Sequence, residues 1–250
     1  MKKIIVSFLA AWLTVSLAFA QADYDLIVSL YIKPKLDKIE LLEAGLSAHN
    51  KKYHASGPHV ASVWSVDNGK RSGQYVWGMG PCKFGDLDTQ PSASGGGGLS
   101  EHDKDWNAKV AAVADEITMV EYWKTSKELS YSPANRIMGK EHGWYINVKR
   151  GQMARFNEVM KKIKKVLEAK KYPDYQDVMY NQFSDGERDV YIGSGFQKWA
   201  DFDKDTFGKD FDEVHGQGAW NLALQEWYDV TVNVEHEIII RIDRLGGRAN

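Results

Sequence analysis

The sequence predicts an α+β protein in which two β-α-β-β-α-β repeats pack as a pseudo-twofold α+β barrel. Three observations carry this expectation: a phrase of twelve residues occurs twice, each half opens with a strand running into an amphipathic helix, and each half continues with a hairpin and a second apolar stretch. In the repeated phrase, Gly78, Gly80, Lys83, Asp86 and Asp88 of residues 77–88 return as Gly193, Gly195, Lys198, Asp201 and Asp203 of residues 192–203. Phe84 corresponds to Trp199 and Leu87 to Phe202. Self-similarity at a fixed spacing is the mark of a duplicated structural unit.

The first twenty residues stand apart from both copies. Lys2 and Lys3 precede an apolar run from Ile4 to Phe19, which ends in the small-x-small sequence Ala18-Phe19-Ala20. A basic start, an apolar stretch and this ending predict a signal peptide at 1–20, cleaved after Ala20, and a secreted or periplasmic protein without a stable membrane anchor. Without this segment the formal charge moves from −2 to −4, because it holds two lysines and no acid. That balance gives no support to nucleic-acid binding, which draws on a basic surplus. Cys82 is the only thiol, so no intramolecular disulfide can form.

The first repeat is expected over 21–136. Leu26, Val28, Leu30 and Ile32 alternate as a strand does, and Leu36, Ile39, Leu42 and Leu46 follow on one side of a helix. Strands at about 60–66 and 74–79 flank a turn at Asp67-Asn68-Gly69. Residues 89–100, with four successive glycines from Gly95, read as a flexible Gly/Ser-rich insertion, after which Ser100 and Asp103 form a capping box. Trp106, Val110, Val113, Ile117 and Val120 then predict one helical stripe.

The second repeat is expected over 137–250. Trp144, Ile146 and Val148 alternate, and Met153, Phe156, Met160, Ile163 and Leu167 recur at helical steps. Both first helices finish in the same tripeptide, Lys51-Lys52-Tyr53 and Lys170-Lys171-Tyr172. Strands at about 176–183 and 188–194 surround Ser184-Asp185-Gly186, the stretch Trp220 to Trp227 predicts the second helix, and Glu235 to Ile242 closes as a strand. Each half thus reads as the split βαβ of ferredoxin-like folds. One such sheet covers a single face with its helices, and two copies bury the bare faces against each other.

The opening Leu30-Tyr31-Ile32-Lys33-Pro34-Lys35-Leu36-Asp37-Lys38-Ile39, strand directly into helix, resembles the start of dimeric α+β barrel proteins. That superfamily includes antibiotic-biosynthesis-type monooxygenases, NIPSNAP-like proteins and chlorite-dismutase-like haem proteins. The resemblance spans roughly residues 24–243 and implies a cavity between sheets, with oxidation of aromatic substrates or haem binding in some members. One fold hosts many functions, so no catalytic residue is carried over.

Several constellations read more simply as structure. Asp201, Asp203, Asp205 and Asp212 imitate a calcium loop, but Thr206 stands where glycine is needed and Asp where a bidentate Glu is usual. Acids at a helix entry account for them. No histidine forms an i,i+4 pair on a helix or a His-x-His on a strand, which predicts no metal site. His236 differs in lying between Glu235 and Glu237, opposite in face to both acids. Haem is therefore the less favoured cofactor reading.

If the Leu26 face packs on helices, Ser29 and Tyr31 point into the space between sheets, as Tyr145 and Asn147 do in the second half. Trp64, Tyr191 and Arg241 are their expected companions. A mostly aromatic lining with a few polar groups suits a small organic or acidic ligand, with Arg241 pairing its acid. The expected function is small-molecule binding in a secreted barrel, either as a cofactor-independent oxygenase-like enzyme or as a haem protein. A non-catalytic interaction module is the third reading. One chain supplies both sheets, which allows a monomer as well as a homodimer.

Overall fold

The structure, a computed structural model, describes residues 24–92, 98–184, 186–204 and 206–248. The signal-peptide expectation, Asp185 and Asp205 fall outside them. In the first half the chain forms β1 (Leu26–Pro34), α1 (Ile39–Tyr53), β2 (Ala61–Gly69) and β3 (Tyr75–Cys82), then α2 (Glu101–Lys109), β4 (Ala114–Ile117) and β5 (Glu121–Thr125). The second half forms β6 (Lys140–Val148), α3 (Met153–Lys170), β7 (Gln176–Asn181) and β8 (Val190–Phe196), then α4 (Phe207–His215), α5 (Ala219–Val230) and β9 (Thr231–Arg241).

The strands run in the order β3-β2-β9-β6-β8-β7-β5-β1, and β1 pairs back onto β3. Every pairing is antiparallel, so eight strands close an α+β barrel with no free edge among them. β4 lies outside this ring, pairing with the far end of β1 at Ile32, Lys33 and Pro34. The halves meet twice: β2 pairs with β9 through Trp64 and Arg241, and β5 pairs with β7 through Trp123 and Asn181.

Strand alternation divides the core into layers. Leu26, Val28, Leu30 and Ile32 face outward onto Leu42 and Leu46 of α1. Ile146, Val148, Val178 and Ile192 do the same toward Phe156 and Met160 of α3. The opposite faces meet inside the barrel, where Tyr31, Trp64, Val76, Trp123, Tyr145 and Tyr191 pack together with Ile239. Both faces of the sheet are thus buried, one by helices and one by the other half.

Three local expectations are corrected. The stripe from Trp106 to Val120 is not one helix: α2 ends at Lys109, and Ala114–Ile117 become β4. Val113 and Ile117 pack into the same core as Val110, so the apolar spacing records a shared destination, and pairing with β1 decides the backbone. The turn expected at 67–69 shifts to residues 70–73, because β2 runs on to Gly69 with an irregularity between Val66 and Asn68. The second half also carries α4, a helix the apolar pattern did not foretell, whose Phe211 packs on Val166 and Ala223.

Helix entries explain the repeated acids. The Lys83 backbone N–H donates to Asp86 at 2.7 Å, and the Lys198 N–H donates to Asp201 at 2.8 Å. Ser100 and Asp103 form the reciprocal cap at the start of α2.

Candidate functional site

A cavity of about 410 Å³ occupies one end of the barrel. The starts of β1, β2, β6 and β7 and the ends of β3 and β9 surround it, and Asp25 and Asp243, each half exposed, stand at its rim. Its apolar wall includes Ile27, Trp64, Val76, Met79, Trp123 and Met179. The polar groups are Ser29, Ser62, Glu141, Tyr145, Asp177 and Tyr191, with Arg136, Arg241 and Arg248 toward the rim.

Glu141 is the most unusual of these groups. It is 6% exposed, accepts a 2.6 Å hydrogen bond from the Tyr175 hydroxyl and accepts a second, shorter one from Tyr191. Burial pushes its carboxyl above the ordinary 4.5, outweighing the two hydrogen bonds that favour the carboxylate. Two glycines make room for this pair. A Cβ on Gly193 would stand 2.6 Å from the Glu141 carboxyl carbon, and one on Gly143 would stand 2.9 Å from the Tyr191 hydroxyl. Beside them Arg136 donates to both oxygens of Asp177 and lies over the Tyr175 ring, 3.7 Å from its centroid.

A second polar network closes the barrel behind Tyr145. The Tyr31 hydroxyl lies 2.6 Å from that of Tyr145 and donates to Glu237 at 2.7 Å. Glu237 is 1% exposed and accepts from Arg71 at 3.0 Å. Arg188 stacks on the Tyr145 ring at 3.5 Å and donates to Glu121 at 2.7 Å. Burial holds the hydroxyls of Tyr31, Tyr145, Tyr175 and Tyr191 above their ordinary value of 10, so they remain neutral donors.

The expected site residues divide accordingly. Trp64, Tyr145, Tyr191 and Arg241 line the cavity together with Ser29. Tyr31 points inward but belongs to the network behind Tyr145. Asn147 shares the face of Tyr145, is half-buried, and is absent from the lining. Arg241 is already paired with Asp243 at 2.7 Å, which alters the expectation that it waits for a ligand acid. Arg136 and Arg241 of the lining are thus already engaged, by Asp177 and Asp243 respectively.

Sequence reasoning missed Glu141, Arg136, Asp177 and Tyr175. The signal for Glu141 was present: continuing the alternation back from Tyr145 through Gly143 reaches it, but the strand was started at Trp144. Arg136, Arg71 and Arg188 come from segments between strands, where no periodicity points to a direction.

For metal or cofactor binding, no histidine or cysteine lines the barrel cavity among the described residues. Cys82 is buried, lies 3.5 Å from the Leu26 carbonyl, and burial raises its thiol to about 11, which leaves it inert at neutral pH. A second cavity, of about 380 Å³, separates the outer faces of β6, β8 and β9 from α3 and α5. Trp144, Met160, Ile163 and Trp227 line it with His236, whose Nδ1 lies 3.2 Å from Nε2 of His142. His49, His54 and His102, which form neither an i,i+4 pair nor a His-x-His pattern in the sequence, converge on the helical side of the first half. Spacing hid them, because the first two stand five positions apart across the end of α1 and the third stands on α2.

The sequence matches no family model and no curated protein. The fold is shared with solved structures. A candidate monooxygenase from Lactobacillus acidophilus is 10% identical, with 87% of this chain and 94% of that one aligned and a TM-score of 0.54. An anthrone oxidase-like protein is 11% identical over 89% and 92% of the two chains, with a TM-score of 0.55. Chlorite dismutase from Candidatus Nitrospira defluvii, in complex with imidazole, is 7% identical over 90% and 94%, again at 0.55. At such identities the likeness establishes the α+β barrel fold and leaves the chemistry to the residues of this chain.

Proposed function

We propose that this chain is a secreted or periplasmic protein whose two ferredoxin-like repeats form a barrel for a small organic molecule. The observation that carries the reading is a cavity with apolar aromatic walls and one buried carboxyl, Glu141, held by two tyrosines. Arg136 and Arg241 are already paired with Asp177 and Asp243, which favours a neutral ligand over an acidic one, and a hydroxylated aromatic matches both the walls and the polar groups. Glu141, raised by burial, exchanges a proton with a ligand hydroxyl more readily near neutral pH than an exposed carboxylate does. In an oxygenase-like reaction without a cofactor, such proton removal opens the way to O2. A substrate CH2 then becomes C=O, and the second oxygen atom leaves as water. The monooxygenase and anthrone oxidase-like neighbours are in keeping with this chemistry.

The test is ligand titration followed by tryptophan fluorescence, since Trp64 and Trp123 line the cavity. Phenol, naphthol and anthrone offer one, two and three rings. Saturable quenching is expected for at least one, weakened about tenfold by Tyr145→Phe or Glu141→Gln, the loss of roughly one hydrogen bond in each case. Equal affinity in both variants overturns the site assignment.

Haem is the second reading, favoured by one observation. The outer cavity offers apolar walls and an imidazole, His236, which burial lowers and so keeps neutral as an axial ligand requires. The fit is partial, because that lining holds no Arg or Lys to meet the propionates. Haem iron would supply redox chemistry at this place. A Soret band on haem addition that disappears in His236→Ala would favour this reading, and its absence in the wild type removes it.

A further inference from the structure

On the outer side of the first half, three imidazoles meet. Nε2 of His102 lies 3.1 Å from Nε2 of His49 and 3.1 Å from Nε2 of His54. All three nitrogens fall within 4.8 Å of one another. The opposite ring nitrogens are all engaged. Nδ1 of His49 lies 2.9 Å from Asp105, Nδ1 of His54 lies 2.8 Å from the His59 carbonyl, and Nδ1 of His102 lies 3.1 Å from Asp103.

Each of these partners accepts a hydrogen bond, so each Nδ1 carries the hydrogen. In a neutral imidazole that leaves Nε2 with a lone pair. Three Nε2 atoms therefore face one another, that of His102 at hydrogen-bond distance from both others, with the side chains 0%, 2% and 12% exposed to water. A single proton on His102 can be shared with its two neighbours. A cation at the centre satisfies all three.

We propose that His49, His54 and His102 bind one divalent transition-metal ion of the zinc class. The donor set is the three-imidazole arrangement that this class takes through Nε2, and each ligand has the outer hydrogen bond that orients such a histidine. A tetrahedral centre with Zn–N of about 2.0–2.1 Å separates its nitrogens by about 3.3–3.4 Å, close to the two 3.1 Å separations here. The third pair of nitrogens, on His49 and His54, lies within 4.8 Å. Tyr53, Trp77 and Trp106 pack around the rings. Solvent reaches the group from the side of His102, where a water or small anion takes the fourth position. The ion joins the end of α1 to the start of α2, so it fastens the segment that follows the glycine run. Nothing in this assignment depends on what the barrel cavity binds.

The experiment uses the full mature chain without a histidine tag, stripped with chelator and titrated with Zn²⁺ and, separately, Co²⁺. One equivalent is expected to bind, with the visible ligand-field bands of tetrahedral cobalt and a rise in melting temperature. His102→Ala is expected to abolish all three signals while keeping the wild-type circular dichroism. His142→Ala, distant in the fold, retains them. Asp105→Asn, which changes the orienting partner of His49 and also weakens the ion pair with Lys109, weakens binding about 10–100-fold. Absence of a one-to-one transition in the wild type overturns the proposal and leaves a proton shared among imidazoles. Undiminished binding by His102→Ala overturns it equally.

Discussion

Glu141 shows how one residue sets stability against function. Its carboxyl is buried, and its ordinary value of 4.5 is raised on folding, with burial the leading cause. The folded state therefore holds the proton more tightly than the unfolded chain does. The stabilisation is fully present below about 4.5 and is lost as pH rises through the folded-state value. Glu141→Gln removes this dependence, since a neutral amide can still meet both tyrosines. The expected result is a denaturation midpoint that falls with pH above 4.5 in the wild type and changes less in the variant. At pH 8 the variant should be more stable, by on the order of 1 kcal/mol, while its ligand affinity falls. A variant less stable than the wild type at pH 8 contradicts the assignment of a buried acid raised by desolvation.

At the scale of elements, the duplicated phrase conceals a difference. Gly78 and Gly193 occupy matching places in β3 and β8, yet their surroundings diverge. A Cβ on Gly78 meets nothing closer than Ile27 at 3.8 Å, whereas one on Gly193 runs into the Glu141 carboxyl. Gly193→Ala is expected to cost about 1–3 kcal/mol as an overpacked interior does. Gly78→Ala should stay within about 0.5 kcal/mol, as substitutions without such a conflict do. Urea denaturation of the two variants checks this, and equal effects would show that the halves are packed alike around these positions. Strands and first helices were legible in the sequence because alternation and helical spacing reflect two buried layers. The end of α2 was not, since Val110, Val113 and Ile117 serve one core through different backbones. The entry acids Asp86 and Asp201 were legible because capping is decided within three residues.

At the scale of the molecule, the barrel closes only when both halves are present. β2 and β5 of the first half find their partners in β9 and β7 of the second. Residues 21–136 alone would expose those two edges together with the inward faces of Tyr31, Trp64 and Trp123. Sedimentation velocity of that fragment is expected to show dimers or larger assemblies, because unpaired edges and an apolar face seek a second copy. A stable folded monomer would mean that the first half carries a complete core of its own. The full chain needs no second copy to close its sheet.

The sequence by itself carried the repeated twelve-residue phrase, the alternation that sends Tyr145 inward, and the helix caps. All of these depend on neighbours a few residues apart or on one repeated pattern. Only the tertiary structure decided that Glu141 lies between two tyrosines, that Arg241 is occupied by Asp243, and that three scattered histidines converge. Those meetings join residues from separate strands, loops and helices. Their distances follow from barrel closure and helix packing, to which spacing along the chain gives no measure.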